Sequence, residues 1–102
     1  MSRILITDRA LKLSSNATEL AESVISALDR NEKIVIDFAA VETITPSFSN
    51  ALILCLLEKF SLEKLRSDCE FANRSDFVIA TMNKSVIRYQ CGARLLPKRA
   101  IA

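Results

Sequence analysis

Three hydroxyls stand within five residues at Thr45, Ser47 and Ser49, interleaved and followed by Pro46, Phe48 and Asn50. A serine so placed can attack a substrate, accept a phosphoryl group or cap a helix. Attack needs a base to take the hydroxyl proton and donors to hold an oxyanion. Histidine is the commonest base near neutral pH, and the chain has none. Asp37 and Glu42 flank the segment, but an aspartate at a strand end more often accepts loop hydrogen bonds. The single glycine cannot build a phosphate-cradling loop or a dinucleotide fingerprint. A hydrolase or transferase using Ser47 or Cys91 therefore lacks both its base and its oxyanion turn. Cys55, Cys69 and Cys91 have no paired spacing, so a zinc site of the Cys/His type is excluded. They read as small hydrophobes in a reducing compartment. No metal, cofactor or enzymatic activity is expected.

The elements that must position these hydroxyls are legible from pattern. Ile34, Val35 and Ile36 run without alternation, which suits a strand covered on both faces, and Asp37 closes it. Residues 39–46 read as a crossing loop anchored by Val41 and Ile44. Pro46 fits the first turn of a helix, where no backbone donor is needed. That makes Thr45 the N-cap, or Ser47 if the helix starts one residue later. The helix runs to about Phe60. Phe48, Leu52, Leu56 and Phe60 form one stripe, while Ile53, Leu54 and Leu57 fill much of the rest. A helix this apolar is either central in the fold or meets a partner. Phe48 reads as a core plug, and Ser49 and Asn50 as corner or cap residues.

Elsewhere, Arg3–Thr7 is a strand, and Leu11–Leu13 extends or pairs with it. Ser14, Ser15 and Asn16 start a helix over 17–30, with Leu20, Val24, Ile25 and Leu28 on one stripe. The charged stretch 61–68 reads as a helix end and loop. Cys69–Ala72 is a short strand, and 77–89 a third helix stopped by Gly92. Alternating strands and helices imply a small layered α/β domain. The expected architecture is a mixed sheet of about four strands with helices packed against it. The domain spans 1–92, with a basic tail over 93–102.

The chain has 102 residues, half of them hydrophobic, enough for one domain with one core. Its net charge is +2, unevenly spread. Up to Asp76 the balance is −3; beyond it there are no acids, and Lys84, Arg88, Arg94, Lys98 and Arg99 give +5. Such asymmetry suits a nucleic-acid surface or a solvated helix with a basic tail. Aromatic residues do not interleave with these charges as in single-strand binders. The longest unbroken apolar run, Ala51–Leu57, is far short of a membrane span. Asp8 and Arg9 come early, with no long apolar segment before them. A soluble cytoplasmic protein with no membrane partner is expected.

The stretch IVIDFAAVETITPSFSNALI, from Ile34, resembles the strand-loop-helix of the STAS superfamily, the domain of sulphate transporters and anti-sigma factor antagonists. It resembles still more closely a STAS-like branch of unknown function. In that branch a DF strand end is followed by an I-(T/S)-x-S-F corner, as at Asp37-Phe38 and Ile44–Phe48. The EFAN segment, Glu70–Asn73, is similar too. By position, Ser47 falls where antagonists accept a phosphate from a partner kinase. Thr45 takes the place of an aspartate, Pro46 of a serine and Phe48 of a glycine. The resemblance implies a non-enzymatic regulatory module partnered by a histidine-kinase-like ATPase or an associated signalling protein. Its corner would be Asp37, Thr45, Pro46, Ser47, Ser49 and Asn50, and its interface helix would present Ile53, Leu54 and Leu57. Self-association through that helix is compatible. The rival expectation is nucleic-acid binding through the basic C-terminal residues.

Overall fold

A computed structural model describes residues 2–95. In chain order it contains β1 (Ser2–Leu5), β2 (Ala10–Leu11), α1 (Ser14–Asp29), β3 (Ile34–Asp37) and β4 (Thr43–Ile44). There follow α2 (Pro46–Lys59), α3 (Leu62–Asp68), β5 (Cys69–Ala72) and α4 (Asp76–Leu95).

The strands form two sheets rather than the expected mixed sheet of four. One has the order β1-β3-β5 and the other pairs β2 with β4. Every pairing is parallel. In the larger sheet Ser2, Ile34 and Cys69 share one row, and Ile4, Ile36 and Phe71 another. Ile34, Ile36 and Cys69 belong to the hydrophobic core, and Ile4 and Phe71 pack against it. Successive side chains of a strand point to opposite faces. Arg3, Val35 and Glu70 therefore share the other face, where Arg3 and Glu70 are exposed. Val35 is 7% exposed yet stands apart from the core cluster. β3 is the middle strand of the sheet. All four residues of β3 are buried, as its unbroken apolar run suggests.

α1 buries Ala17, Ala21, Val24, Ala27 and Leu28. Its alanines allow close approach of a neighbouring helix. Leu20 and Ile25, expected on the stripe, are only partly buried. Its N-cap is Leu13, which has no capping side chain. α2 packs between α1 and α4, and Phe48, Leu52 and Leu56 are almost completely enclosed. α3 occupies what reads as a loop. Ser61 caps it by accepting the Lys64 N–H at 3.1 Å, and Leu65 anchors it. α4 starts at Asp76, one residue before the expected Phe77, and the Ser75 hydroxyl ahead of it accepts the Val78 N–H at 3.2 Å. It runs through Gly92 to Leu95, so Gly92 is not the expected stop. Asn31 and Asn73 adopt left-handed φ of 60° and 59°, a conformation asparagine tolerates in turns.

Candidate functional site

The corner before α2 is held by the small β2–β4 ribbon. The Arg9 carbonyl accepts from the N–H groups of Glu42 and Thr43 at 2.7 and 3.1 Å. The Thr45 N–H donates to the Leu11 carbonyl at 2.9 Å. The Thr45 hydroxyl donates to the Lys12 carbonyl at 3.1 Å and accepts the Phe48 N–H at 3.2 Å. Thr45 is therefore the N-cap, and Pro46 is the first helical residue. Val41 and Ile44 are buried as anchors.

This arrangement nearly exhausts the donors of the first turn. Pro46 has none, Phe48 bonds the cap side chain, and Ser49 bonds the Thr45 carbonyl. The Ser47 N–H is left as the orphan donor among the described residues. Ser47 itself is exposed, and its hydroxyl makes no hydrogen bond among them. Phe48 is 1% exposed and points its bulk into the core. The outer surface of the corner is thus Pro46 and Ser47, with Thr45 half-buried beside them.

Ser49 and Asn50 belong elsewhere. Ser49 is fully buried, and its hydroxyl lies 2.6 Å from that of Ser85. Ser85 donates to the Asn50 side-chain carbonyl at 2.7 Å. This hydroxyl–amide set ties α2 to α4, so Ser49 is not part of a partner-facing corner. Asn50 is committed to the same bond while half-buried.

The proposed interface helix also divides. Ile53 is 4% exposed and lies in the core, so it cannot face a partner. Leu57 is half-buried and packs against the core. Leu54 remains exposed. α2 alone thus offers one large exposed apolar side chain, too little for a stable dimer interface of ~800 Å² per subunit.

Asp37 sits at the C-terminal end of β3 and is nearly withdrawn from water. Its carboxylate accepts from Asn73 Nδ2 at 3.1 Å, the Ala39 N–H at 2.9 Å and Arg3 Nη2 at 2.6 Å. Those bonds, that from Asn73 first, hold its pKa below the usual aspartate value against the opposing effect of burial. Asp37 therefore ties the end of β3 to Arg3 of β1 and to the β5–α4 turn. Its acceptor sites are occupied within the fold, which removes it from the docking corner.

Of the basic residues, Lys84 and Arg88 are exposed on α4. Arg94 falls within α4, but its side chain, together with Lys98 and Arg99, lies outside the described residues. Cys69 is buried, and burial pushes its thiol up to about 12. Cys55 is half-buried and Cys91 exposed. No cluster of three or more metal-ligating side chains occurs among the described residues. No helix among them is long and apolar enough to cross a membrane.

The sequence reading missed Arg9, Leu11 and Lys12, whose carbonyls fix the corner. Backbone acceptors leave no mark in residue type. It also missed Ser85, a lone serine in an apolar helix stripe, which is the signal that could have found it.

A family described as a STAS-like domain of unknown function (DUF4325) matches residues 16–78, more than half of the chain. The chain belongs to that family. The STAS-like match takes in most of α1, then β3, β4, α2, α3 and β5, and ends in the first turn of α4. The corner and its cap therefore lie wholly inside it. No curated protein and no solved structure gives a significant match.

Proposed function

We propose that this STAS-like domain is a non-enzymatic regulatory module that docks a protein partner on the Pro46–Ser47 corner. The observation that carries this is the free, exposed Ser47 hydroxyl on a helix whose cap is already complete. Ser47 is not needed to start the helix, yet it stands where an added charge would act most strongly. From it a strip of outward positions continues along α2 through Leu54 to Glu58, both exposed.

Ser47 is the proposed phospho-acceptor, and a histidine-kinase-like ATPase the proposed partner, as the family resemblance implies. The Ser47 Oγ would attack the γ-phosphorus of the partner's ATP. ADP would leave, and a base on the partner would take the proton. The product phosphate would meet the orphan Ser47 N–H and the positive end of α2. It would add up to about two negative charges to the docking strip.

The test is the protein recovered from its native cells with its neighbours, weighed intact and compared with Ser47→Ala, Ser47→Asp and Leu54→Asp. A mass increment of one phosphate on the parent, absent in Ser47→Ala, is expected. Partners should differ between Ala and Asp and be lost with Leu54→Asp. Identical partners in all four, with no phosphate, would remove this function.

A further inference from the structure

A groove of about 940 Å³ is lined by residues of α2, α3, β3, β5 and the middle of α4. Its walls include Leu57, Leu62, Phe71 and Val86, all part-exposed, and Ile87, 59% exposed. These apolar side chains come from four elements and converge on one open trough. Arg74 lines the same groove. Its guanidinium lies over the Phe71 ring, 5.5 Å from the centroid, and an Nη points at the Met82 sulfur at 3.9 Å.

Arg74, like Lys33 and Arg66 in the same groove, has no carboxylate at ion-pair distance among the described residues; unlike them it lies over an aromatic ring. Its Nε is buried without a hydrogen-bond partner. Withdrawal from water lowers its pKa, as expected of a cation lacking a counter-charge. A planar fork of donors held against an aromatic face is pre-organised for a carboxylate. Lys33, Arg66, Asp68 and Glu70 also line the groove, but neither carboxylate reaches ion-pair distance of Arg74, and a buried donor left without a partner is costly unless something completes it.

We propose that this groove binds a small amphiphile of the long-chain carboxylate class, with its head group on Arg74. The chain lies along Leu57, Leu62, Val86 and Ile87. The volume falls within the small-ligand range of ~300–1,000 Å³, which favours a single lipid-like molecule over a folded partner. The site is separate from the Ser47 corner, so either can be right without the other.

The experiment uses the full chain and a fluorescent polyene fatty acid, cis-parinarate, as probe. Dodecanoate and dodecanol compete, both below their micellar or solubility limits. Saturable binding of one probe per chain is expected. Dodecanol should compete about tenfold less well than dodecanoate, for want of the charge-assisted bond. Arg74→Gln should weaken dodecanoate by about tenfold or more and leave dodecanol unchanged. Ile87→Glu changes an exposed residue, so the fold is kept. It should weaken dodecanoate similarly by placing a like charge in the trough. Far-ultraviolet circular dichroism of each variant confirms folding. Absence of saturable binding overturns the proposal. So does equal competition by acid and alcohol with no effect of Arg74→Gln. Concentration-dependent self-association abolished by Ile87→Glu, without probe binding, would make the groove an interface between copies and would also overturn it.

Discussion

Thr45 and Ser47 stand two residues apart, and only one hydroxyl is committed to the fold. Thr45 gives and takes a hydrogen bond at a half-buried site. Thr45→Ala should therefore cost about 1–2 kcal/mol in urea unfolding, as for other N-caps, and Thr45→Ser far less. Ser47→Ala should change stability by no more than about 0.5 kcal/mol, since nothing in the fold uses the hydroxyl. Equal losses at both positions would mean that the cap has been assigned to the wrong residue. The sequence left that choice open because a helix start shifted by one residue satisfies the same pattern. The Leu11 and Lys12 carbonyls decide it. Asp37 gives a pH signature at the same scale. Its folded pKa is lowered from an ordinary 3.8. Its contribution is thus fully present above about pH 4 and is lost as pH falls through the lower folded value. Asp37→Asn should be less stable than the parent at pH 7, and the gap between their melting temperatures should close below pH 4. A gap independent of pH would show that the charge on Asp37 is irrelevant to the ties it makes.

Among the elements, α2 was the most visible and the least resolved. Its apolar residues lie all round, so composition alone could not say whether it is central or partner-facing. Packing between α1 and α4 settles the matter for Ile53, which is enclosed, and for Leu54, which is not. Neighbouring residues of similar size should then behave differently. Ile53→Ala should cost about 2–4 kcal/mol through lost burial and a cavity. Leu54→Ala should cost less than about 1 kcal/mol. Chemical denaturation of the two variants checks this, and similar losses would contradict the helix orientation. The polar tie between α2 and α4 makes a second demand. Ser85→Ala leaves the half-buried Asn50 carbonyl without its donor and the buried Ser49 hydroxyl with only the long 3.5 Å bond to the Thr81 carbonyl. A cost of about 1–3 kcal/mol is expected. Ser49→Ala and Ser85→Ala together should cost less than the sum of the singles, because they empty one shared network. Additive effects would show that the two hydroxyls do not act as a unit. Little of this was legible, since serine in a helix gives no sign of which helix it faces.

For the whole molecule, the alternation of strands and helices and the STAS-like pattern from Ile34 carried the fold class. Strand pairing was not legible to the same degree. β2 and β4 have two residues each, too few for any periodicity: β4 lies in the stretch read as a crossing loop, and the Leu11 segment, expected to extend or pair with β1, pairs with β4 instead. α3, with seven residues and one buried leucine, was hidden by its charges for the same reason. α3 leads straight into β5, an edge strand held by β3 on one side only. Whether that edge opens alone is a property of the whole core. Cys69, at the start of β5, is 6% exposed, with its thiol pushed up to about 12 by burial. Reaction with a disulfide reagent at pH 8 should label exposed Cys91 at once. Cys69 should be slower by about a thousandfold or more, because only an opened chain presents a thiolate there. Cys69 also belongs to the core cluster that includes Leu65 of α3 and Ile34 of β3. Its exposure should therefore follow global unfolding, with the urea dependence of its labelling equal to the equilibrium m-value. A much shallower dependence would mean that β5 detaches on its own, and that the groove beside it opens without unfolding the α1–α2–α4 layer.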